Sequence, residues 1–155
     1  MTFAGIDFRE GTATGKEIQA HLEECDTDFV PNLSSKVNIE EYARKIKSLA
    51  KTFEAWSGET LIGLVAAYMN DARTRTCFIT SVSVAKEFMG QGIAHALLDH
   101  CFTGSRQEGM NAIRLEVSVE SHRAIRFYKN FGFSETARNG DTVSMELETS
   151  EKRQS

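Results

Sequence analysis

Two glycines and an alanine stand at a strand-to-helix junction in the stretch Val84-Ala85-Lys86-Glu87-Phe88-Met89-Gly90-Gln91-Gly92-Ile93-Ala94-His95-Ala96-Leu97-Leu98. A β-branched, alternating run over 76–84 leads in. Afterwards Ile93, Leu97, Leu98, Cys101 and Phe102 recur at three- and four-residue spacing, as on one helical face. The first N–H groups of a helix lack intrahelical partners, and the helix dipole is positive there. Small residues let a phosphate approach that end. The chemistry on offer is anion binding by backbone. The same residues also suit a Gly-rich turn capping an ordinary amphipathic helix, and the stretch alone does not choose between the two.

Such a junction works only if the rest of the chain holds it against a sheet. Residues 3–9 alternate weakly, as a first strand. Thr14 can cap a helix reaching about Cys25, with Ile18, Leu22 and Cys25 on one face. Residues 26–36 are irregular and hold the only proline, Pro31. Asn38 followed by Glu41 resembles a capping box, opening a helix whose stripe is Ile39, Tyr42, Ala43, Ile46, Leu49 and Ala50. Segments 52–56 and 60–69 read as strands joined at Ser57-Gly58-Glu59. The second is apolar on both parities from Leu61 on, as expected of a strand covered on both faces. After the strand at 76–84 and a helix to about Ser105, residues 112–119 alternate. Ile113, Leu115, Val117 and Val119 face one side; Arg114, Glu116 and Ser118 face the other. A helix from about Ser121 carries Ala124, Phe127, Tyr128 and Phe131, and Gly132 can stop it. Asn139-Gly140 signals a hairpin between 134–138 and 142–147.

The resulting order is β-α-α-β-β-β-α-β-α-β-β. It predicts an α/β (α+β) fold with a mixed sheet of about six to seven strands and helices on both faces. The crossover from 76–84 to 112–119 should be right-handed, pairing those strands in parallel. One domain is expected over 1–148, with a polar, disordered tail at 149–155.

Composition narrows the function. The net charge of −4, with no long basic run, argues against bulk nucleic-acid binding, so an anionic ligand must meet a local patch. Cys25, Cys77 and Cys101 are far apart and show no CxxC or Cys/His spacing. Neither a disulfide framework nor a metal site is expected. A basic segment followed by an apolar run is missing at the N-terminus, and no apolar run approaches the roughly 18 residues of a spanning helix. A cytoplasmic protein with no membrane partner is the expectation.

Three kinds of Gly-rich cradle can be compared. A P-loop needs Gly-x-x-x-x-Gly-Lys-Ser/Thr, which is missing. A dinucleotide fingerprint needs a third Gly or Ala where His95 stands. The third is an acyl-CoA cradle. Here the chain resembles the GNAT superfamily of acyl-CoA-dependent N-acyltransferases, whose signature is Gln/Arg-x-x-Gly-x-Gly/Ala five residues after a strand-ending valine. Val84, Met89, Gly92 and Ala94 hold those places. Leu115-Glu116-Val117, then Ser121 to Tyr128, then Gly132-Phe133 resemble a second block, Asn-x-x-Ala-x-x-x-Tyr followed by Gly-Phe. The resemblance covers about 52–147 well and the N-terminal part by element order. Met89 replaces the family's Gln or Arg, removing a side-chain donor. Ser121 replaces the usual Asn but keeps a donor and an acceptor.

The resemblance implies acetyl-CoA as co-substrate, an amine acceptor and direct transfer without an acyl-enzyme. A homodimer is compatible with it. The pyrophosphate would lie over the amides of Met89, Gly90, Gln91, Gly92, Ile93, Ala94 and His95. The pantetheine would pair with Val82, Ser83 and Val84 like an added strand, with Ser121 and Tyr128 beside it. Lys86, Arg123, Arg126 and Lys129 would flank the slot. Glu116 would be the base, matching the glutamate of ribosomal-protein N-terminal acetyltransferases. Tyr128 would donate to the leaving sulfur, and a backbone N–H near Val82 would hold the oxyanion. The acceptor pocket would lie between 24–36 and 137–142, with Glu24, Asp26 and Asp28 attracting an amine and Phe29, Tyr42 and Trp56 lining it. A small-molecule amine is favoured over a protein N-terminus or lysine, and the alternative to an enzyme is a non-catalytic acyl-CoA-binding module.

Overall fold

The structure, a computed structural model, describes residues 4–149. It contains β1 (Ile6–Glu10), α1 (Gly15–Glu24), α2 (Ile39–Leu49), β2 (Lys51–Ser57), β3 (Thr60–Tyr68), β4 (Thr76–Val84), α3 (Ile93–Gln107), β5 (Ala112–Ser118), α4 (His122–Phe131), β6 (Ser134–Asn139) and β7 (Thr142–Glu148). The order is the expected one. The strands form one seven-stranded sheet, β1-β2-β3-β4-β5-β7-β6, in which only β4 and β5 run parallel. Phe3, placed in the first strand, and 150–155, placed in a disordered tail, lie outside the described residues. Thr149, assigned to that tail, is instead buried, its N–H donating to the Asn111 carbonyl.

Local chemistry explains the element ends. Thr14 and Glu17 form a full capping box at α1, and the Asn38 side chain accepts from the Glu41 N–H at α2. Gly132 ends α4 at φ +131°. The sheet divides the core. One cluster packs α3 and α4 on it, around Phe53, Val65, Leu97, Leu98, Ile113 and Met145. The other packs α1 and α2 on it, around Ile18, Leu22, Ile46, Trp56 and Leu64. β3 sits between β2 and β4 and is buried on both faces, as its double-parity apolar run requires. A Cβ at Gly63 would come within 3.1 Å of Leu97 and 3.3 Å of Ile93, so this glycine lets the start of α3 lie hard on the sheet.

A charged residue lies inside the α1/α2 half. Glu54 on β2 is fully buried and accepts from Thr12 and Ala13 N–H, the Thr12 and Thr52 hydroxyls and Trp56 Nε1. Burial pushes its carboxyl up, but these donors outweigh burial and hold it below the usual range. It ties the β1–α1 connection to the sheet. Glu54→Gln turns an amide NH₂ toward donors and is expected to cost about 1–3 kcal/mol at pH 7. The depressed carboxyl contributes its stability above the unfolded pKa, about 4.3, and loses it as pH falls through the folded value. Urea midpoints of the two proteins should therefore converge below about pH 4; a constant gap would refute the assignment.

Candidate active site

The sheet opens where the two blocks of the sequence meet. β4 and β5 pair only at Thr76–Ala112, Cys77–Ile113 and Phe78–Arg114. Beyond Phe78 they diverge. β4 carries an extra residue, Thr80, where its register with β3 shifts between Ala66 and Ala67. Such a bulge bends a strand and increases its twist. β5 meanwhile stays paired with β7 through Ser118–Thr142. Tyr42 of α2 holds the bulge, its hydroxyl 2.7 Å from the Thr80 carbonyl and 2.6 Å from Thr80 Oγ1.

Because β5 has left, one edge of β4 is unclaimed. The Ala85 N–H donates to the Ile62 carbonyl on the β3 side. Backbone groups alternate sides along a strand, so those of Val84 and Val82 face away from β3, into the opening.

Two cavities occupy the opening. The larger, of about 770 Å³, is lined by Val82, Ser83, Val84, Met89, Gly90, Gly92, Ile93, Ala94, His95 and Tyr128, all singled out from the sequence. Gln91 does not line it. Cys25, Phe88 and Phe127 do, and the sequence reading missed them; Phe127 was legible only as a core-stripe residue. Gly92 is the N-cap of α3 at φ +85° and Gly90 stands at φ +80°, conformations that favour glycine. No side chain caps α3, and the first intrahelical bond is Ala96 N–H to the Gly92 carbonyl. The amides of Ile93, Ala94 and His95 thus stand at the positive end of a fifteen-residue helix. Backbone N–H groups and Arg123 in this wall fit the pyrophosphate that the resemblance implies. Of the other expected cations, Lys129 pairs with Glu135 at 3.4 Å and Lys86 reaches Asp28 at 3.8 Å.

The smaller cavity, of about 400 Å³, lies beyond Val82 and Tyr128, which line both. Glu116 and Leu115 form its β5 wall, and Ser121 lines it rather than the larger cavity. Ser121 is the N-cap of α4, with no capping bond from its side chain. Glu116 is exposed and forms no ion pair among the described residues; Arg114, its neighbour on the same strand face, turns to Glu146 at 3.7 Å. The roof is the α1–α2 connection, with Asp28, Phe29 and Val37 over the cavity.

Several acceptor-side expectations are corrected. Trp56 is buried among α1 and α2 with its Nε1–H on Glu54, because β2 is separated from β4 by β3. Glu24 lines neither cavity, and the Asp26 carboxylate is occupied by the Ser34 N–H at 2.7 Å. The tip of the β6–β7 hairpin also stays away, since β6 is the outermost strand beyond β7. Asp28, Phe29 and Tyr42 do line the smaller cavity.

Tyr128 sits at the junction, its ring edge-on to Phe127 and Phe133 at centroid distances of 5.4 and 5.7 Å. Burial pushes its phenol well above the ordinary tyrosine range, so the O–H is retained. His21 is buried behind the slot, its Nε2 2.9 Å from Ser83 Oγ, and burial lowers its pKa to about 4. It is therefore neutral at pH 7 and brings no charge to the slot.

Residues 16–133 match the acetyltransferase (GNAT) family, and the chain belongs to that family. It is 31% identical over 84 residues to N-alpha-acetyltransferase 30 of Schizosaccharomyces pombe, a match covering 53% of this chain and 56% of that protein. The chain thus spans little more than half the length of this relative. The [ribosomal protein bS18]-alanine N-acetyltransferase of Escherichia coli K12 is 26% identical over 112 residues, 67% of this chain and 76% of that one. A crystal structure of the E. coli ribosomal-protein-S18-alanine N-acetyltransferase superposes with a TM-score of 0.74 at 17% identity, covering 94% of both chains. The PaiA N-acetyltransferase of Thermoplasma acidophilum in complex with coenzyme A gives 0.72 at 17% identity, covering 92% of this chain and 98% of that one.

Proposed function

We propose that this protein transfers an acetyl group from acetyl-CoA directly to a primary amine. The observation that carries the proposal is the meeting of two cavities at Val82 and Tyr128, one walled by an anion cradle and the other by Glu116. Acetyl-CoA lies in the larger cavity, its pyrophosphate over the amides from Met89 to His95. Its pantetheine amides pair with the free edge of β4 at Val82 and Val84. The thioester then sits at the junction.

An amine of pKa near ~10 is mostly protonated at neutral pH and must lose a proton before it attacks. Glu116, directly or through one water, accepts it. The nitrogen bonds to the thioester carbon, and the carbonyl oxygen takes up negative charge beside the Val82 N–H. The C–S bond then breaks as the carbonyl re-forms, the nitrogen gives up its second proton through water to the departing thiolate, and CoA leaves as the thiol. Tyr128 donates a hydrogen bond to the departing sulfur. At about 400 Å³ the acceptor cavity suits a small amine. The activities named for the two curated relatives favour a second reading, the α-amine of a polypeptide terminus.

A ligand bound only by the native state raises its stability, so saturating acetyl-CoA is expected to raise the melting temperature. Gly92→Glu, which puts a carboxylate at the start of α3 where φ is +85°, should abolish the rise. An unchanged midpoint for the wild type would count against the cradle, and a rise retained in the variant would mean the phosphates lie elsewhere. Release of free CoA in the presence of amines, peptides included, then reads the transfer itself.

A further inference from the structure

A third cavity, of about 490 Å³, lies on the same sheet face as Glu116 and shares Phe78 with the acceptor cavity. Register explains the continuity. Tyr68, Phe78 and Arg114 are successive cross-strand partners on β3, β4 and β5. Glu116 lies two residues past Arg114 on one strand face, which is about 7 Å along β5. A molecule with its amine at Glu116 can run down the sheet beneath α2 and reach this row.

The far cavity is chemically unlike the near one. The Tyr68 hydroxyl is shielded from solvent and has no hydrogen-bond partner. Lys45 of α2 holds its ammonium 5.6 Å from the centre of the Tyr68 ring and forms no ion pair among the described residues. The other donors in the wall are already engaged, the Thr74 hydroxyl with Asp71, the Thr76 hydroxyl with the Thr74 carbonyl at 3.4 Å and Arg114 with Glu146, so Lys45 and the Tyr68 hydroxyl carry the recognition. Two carboxylates are close, and both are engaged. Asp71 accepts the N–H groups of Arg73 and Thr74, and Glu146 meets Arg114 at 3.7 Å. A buried hydroxyl without a partner costs free energy that a ligand acceptor atom recovers.

We propose that this cavity is a subsite for an anionic group, a carboxylate or phosphate, borne by the amine acceptor at its far end. The acceptor class is then an amine with its anion several bonds away, as in an ω-amino acid or a short peptide, rather than an α-amino acid. The inference rests on the amine-acetylation reading of the neighbouring cavity.

The test compares 6-aminohexanoate with n-hexylamine, which differ in the terminal carboxylate. The wild type should favour 6-aminohexanoate by about five- to tenfold in kcat/KM, through KM, the scale expected for partly exposed charge pairs and one buried hydrogen bond. Lys45→Ala should reduce that ratio. Tyr68→Phe removes an unpartnered hydroxyl, so its melting temperature should not fall, yet its KM for 6-aminohexanoate should rise. Equal kcat/KM for the two amines, or a ratio unmoved in both variants, overturns the subsite. If hexanoate added beside n-hexylamine reproduces the whole effect, the anion binds separately and the proposed acceptor is wrong. If neither amine is turned over, the acetylation reading passes to the wider panel of amines and peptides. The pocket is then decided by whether 6-aminohexanoate raises the melting temperature of the CoA-bound wild type more than that of Lys45→Glu; equal shifts refute it.

Discussion

Replacing Tyr128 with phenylalanine is expected to slow acetyl transfer by about 10²–10⁴-fold while leaving acetyl-CoA binding nearly intact. The ring is held by Phe127 and Phe133, and phenylalanine keeps both contacts. Only the hydroxyl is lost, at the point where the two cavities meet. What that hydroxyl contributes follows from proton affinities. Full transfer from a phenol near ~10 to a thiolate near ~8.5 is uphill by roughly 2 kcal/mol. Burial pushes the Tyr128 phenol higher still, so the phenol keeps its proton in the resting site. The lost interaction is therefore a hydrogen bond to sulfur as it gains charge, an interaction stronger in the transition state than in the bound thioester. The loss should appear in kcat, with the acetyl-CoA thermal shift preserved. A variant that turns over at the wild-type rate would make Tyr128 a packing residue alone.

Glu116→Gln should give the second large effect, about 10²-fold at neutral pH, with a dependence on pH that a structural residue would not show. Glutamine keeps the size and hydrogen-bonding reach of the side chain but cannot accept the ammonium proton. At low pH nearly all acceptor is protonated, and the variant should be slowest relative to wild type. As pH rises toward the amine's own pKa, free amine becomes abundant, the base is needed less, and the two profiles should converge. The setting supports this role. Glu116 lines the acceptor cavity, and Arg114, the cation best placed to neutralise it, pairs with Glu146. The decisive measurement is kcat/KM against pH for both proteins, with melting points alongside. Profiles offset in parallel over the whole range would withdraw the base assignment and point to a water chain or to the acceptor's solution equilibrium.

Most of what was legible from residues is local. Hydrophobic period and end signals belong to short segments, so Thr14, Asn38, Gly132 and Asn139-Gly140 placed element boundaries to within a few residues. The glycine-rich turn was legible for the same reason. Gly90, Gly92 and the amides that follow make up one strand-to-helix connection, and its conformation is set by its own residues. Glu116 was readable as facing opposite Leu115 because alternation along a strand is a property of the strand.

What only tertiary structure decided depends on neighbours distant in sequence. The slot exists because Thr80 is bulged against β3 while β5 stays with β7, and register between strands is not written in either strand alone. Trp56 looked like an acceptor residue until strand order placed β3 between it and the slot. The hairpin tip was ruled out by the outer position of β6. The third cavity joins Lys45, Tyr68 and Arg114 from one helix and two strands, which no spacing in the chain brings together. The sequence by itself determined the elements, the glycine-rich turn into α3 and the chemical types of the candidate groups, because those follow from backbone geometry and side chains a few residues apart. Which of those groups share a cavity, and how far apart they stand, was decided by sheet order and register, because each depends on pairing energies summed over strands far apart in the chain.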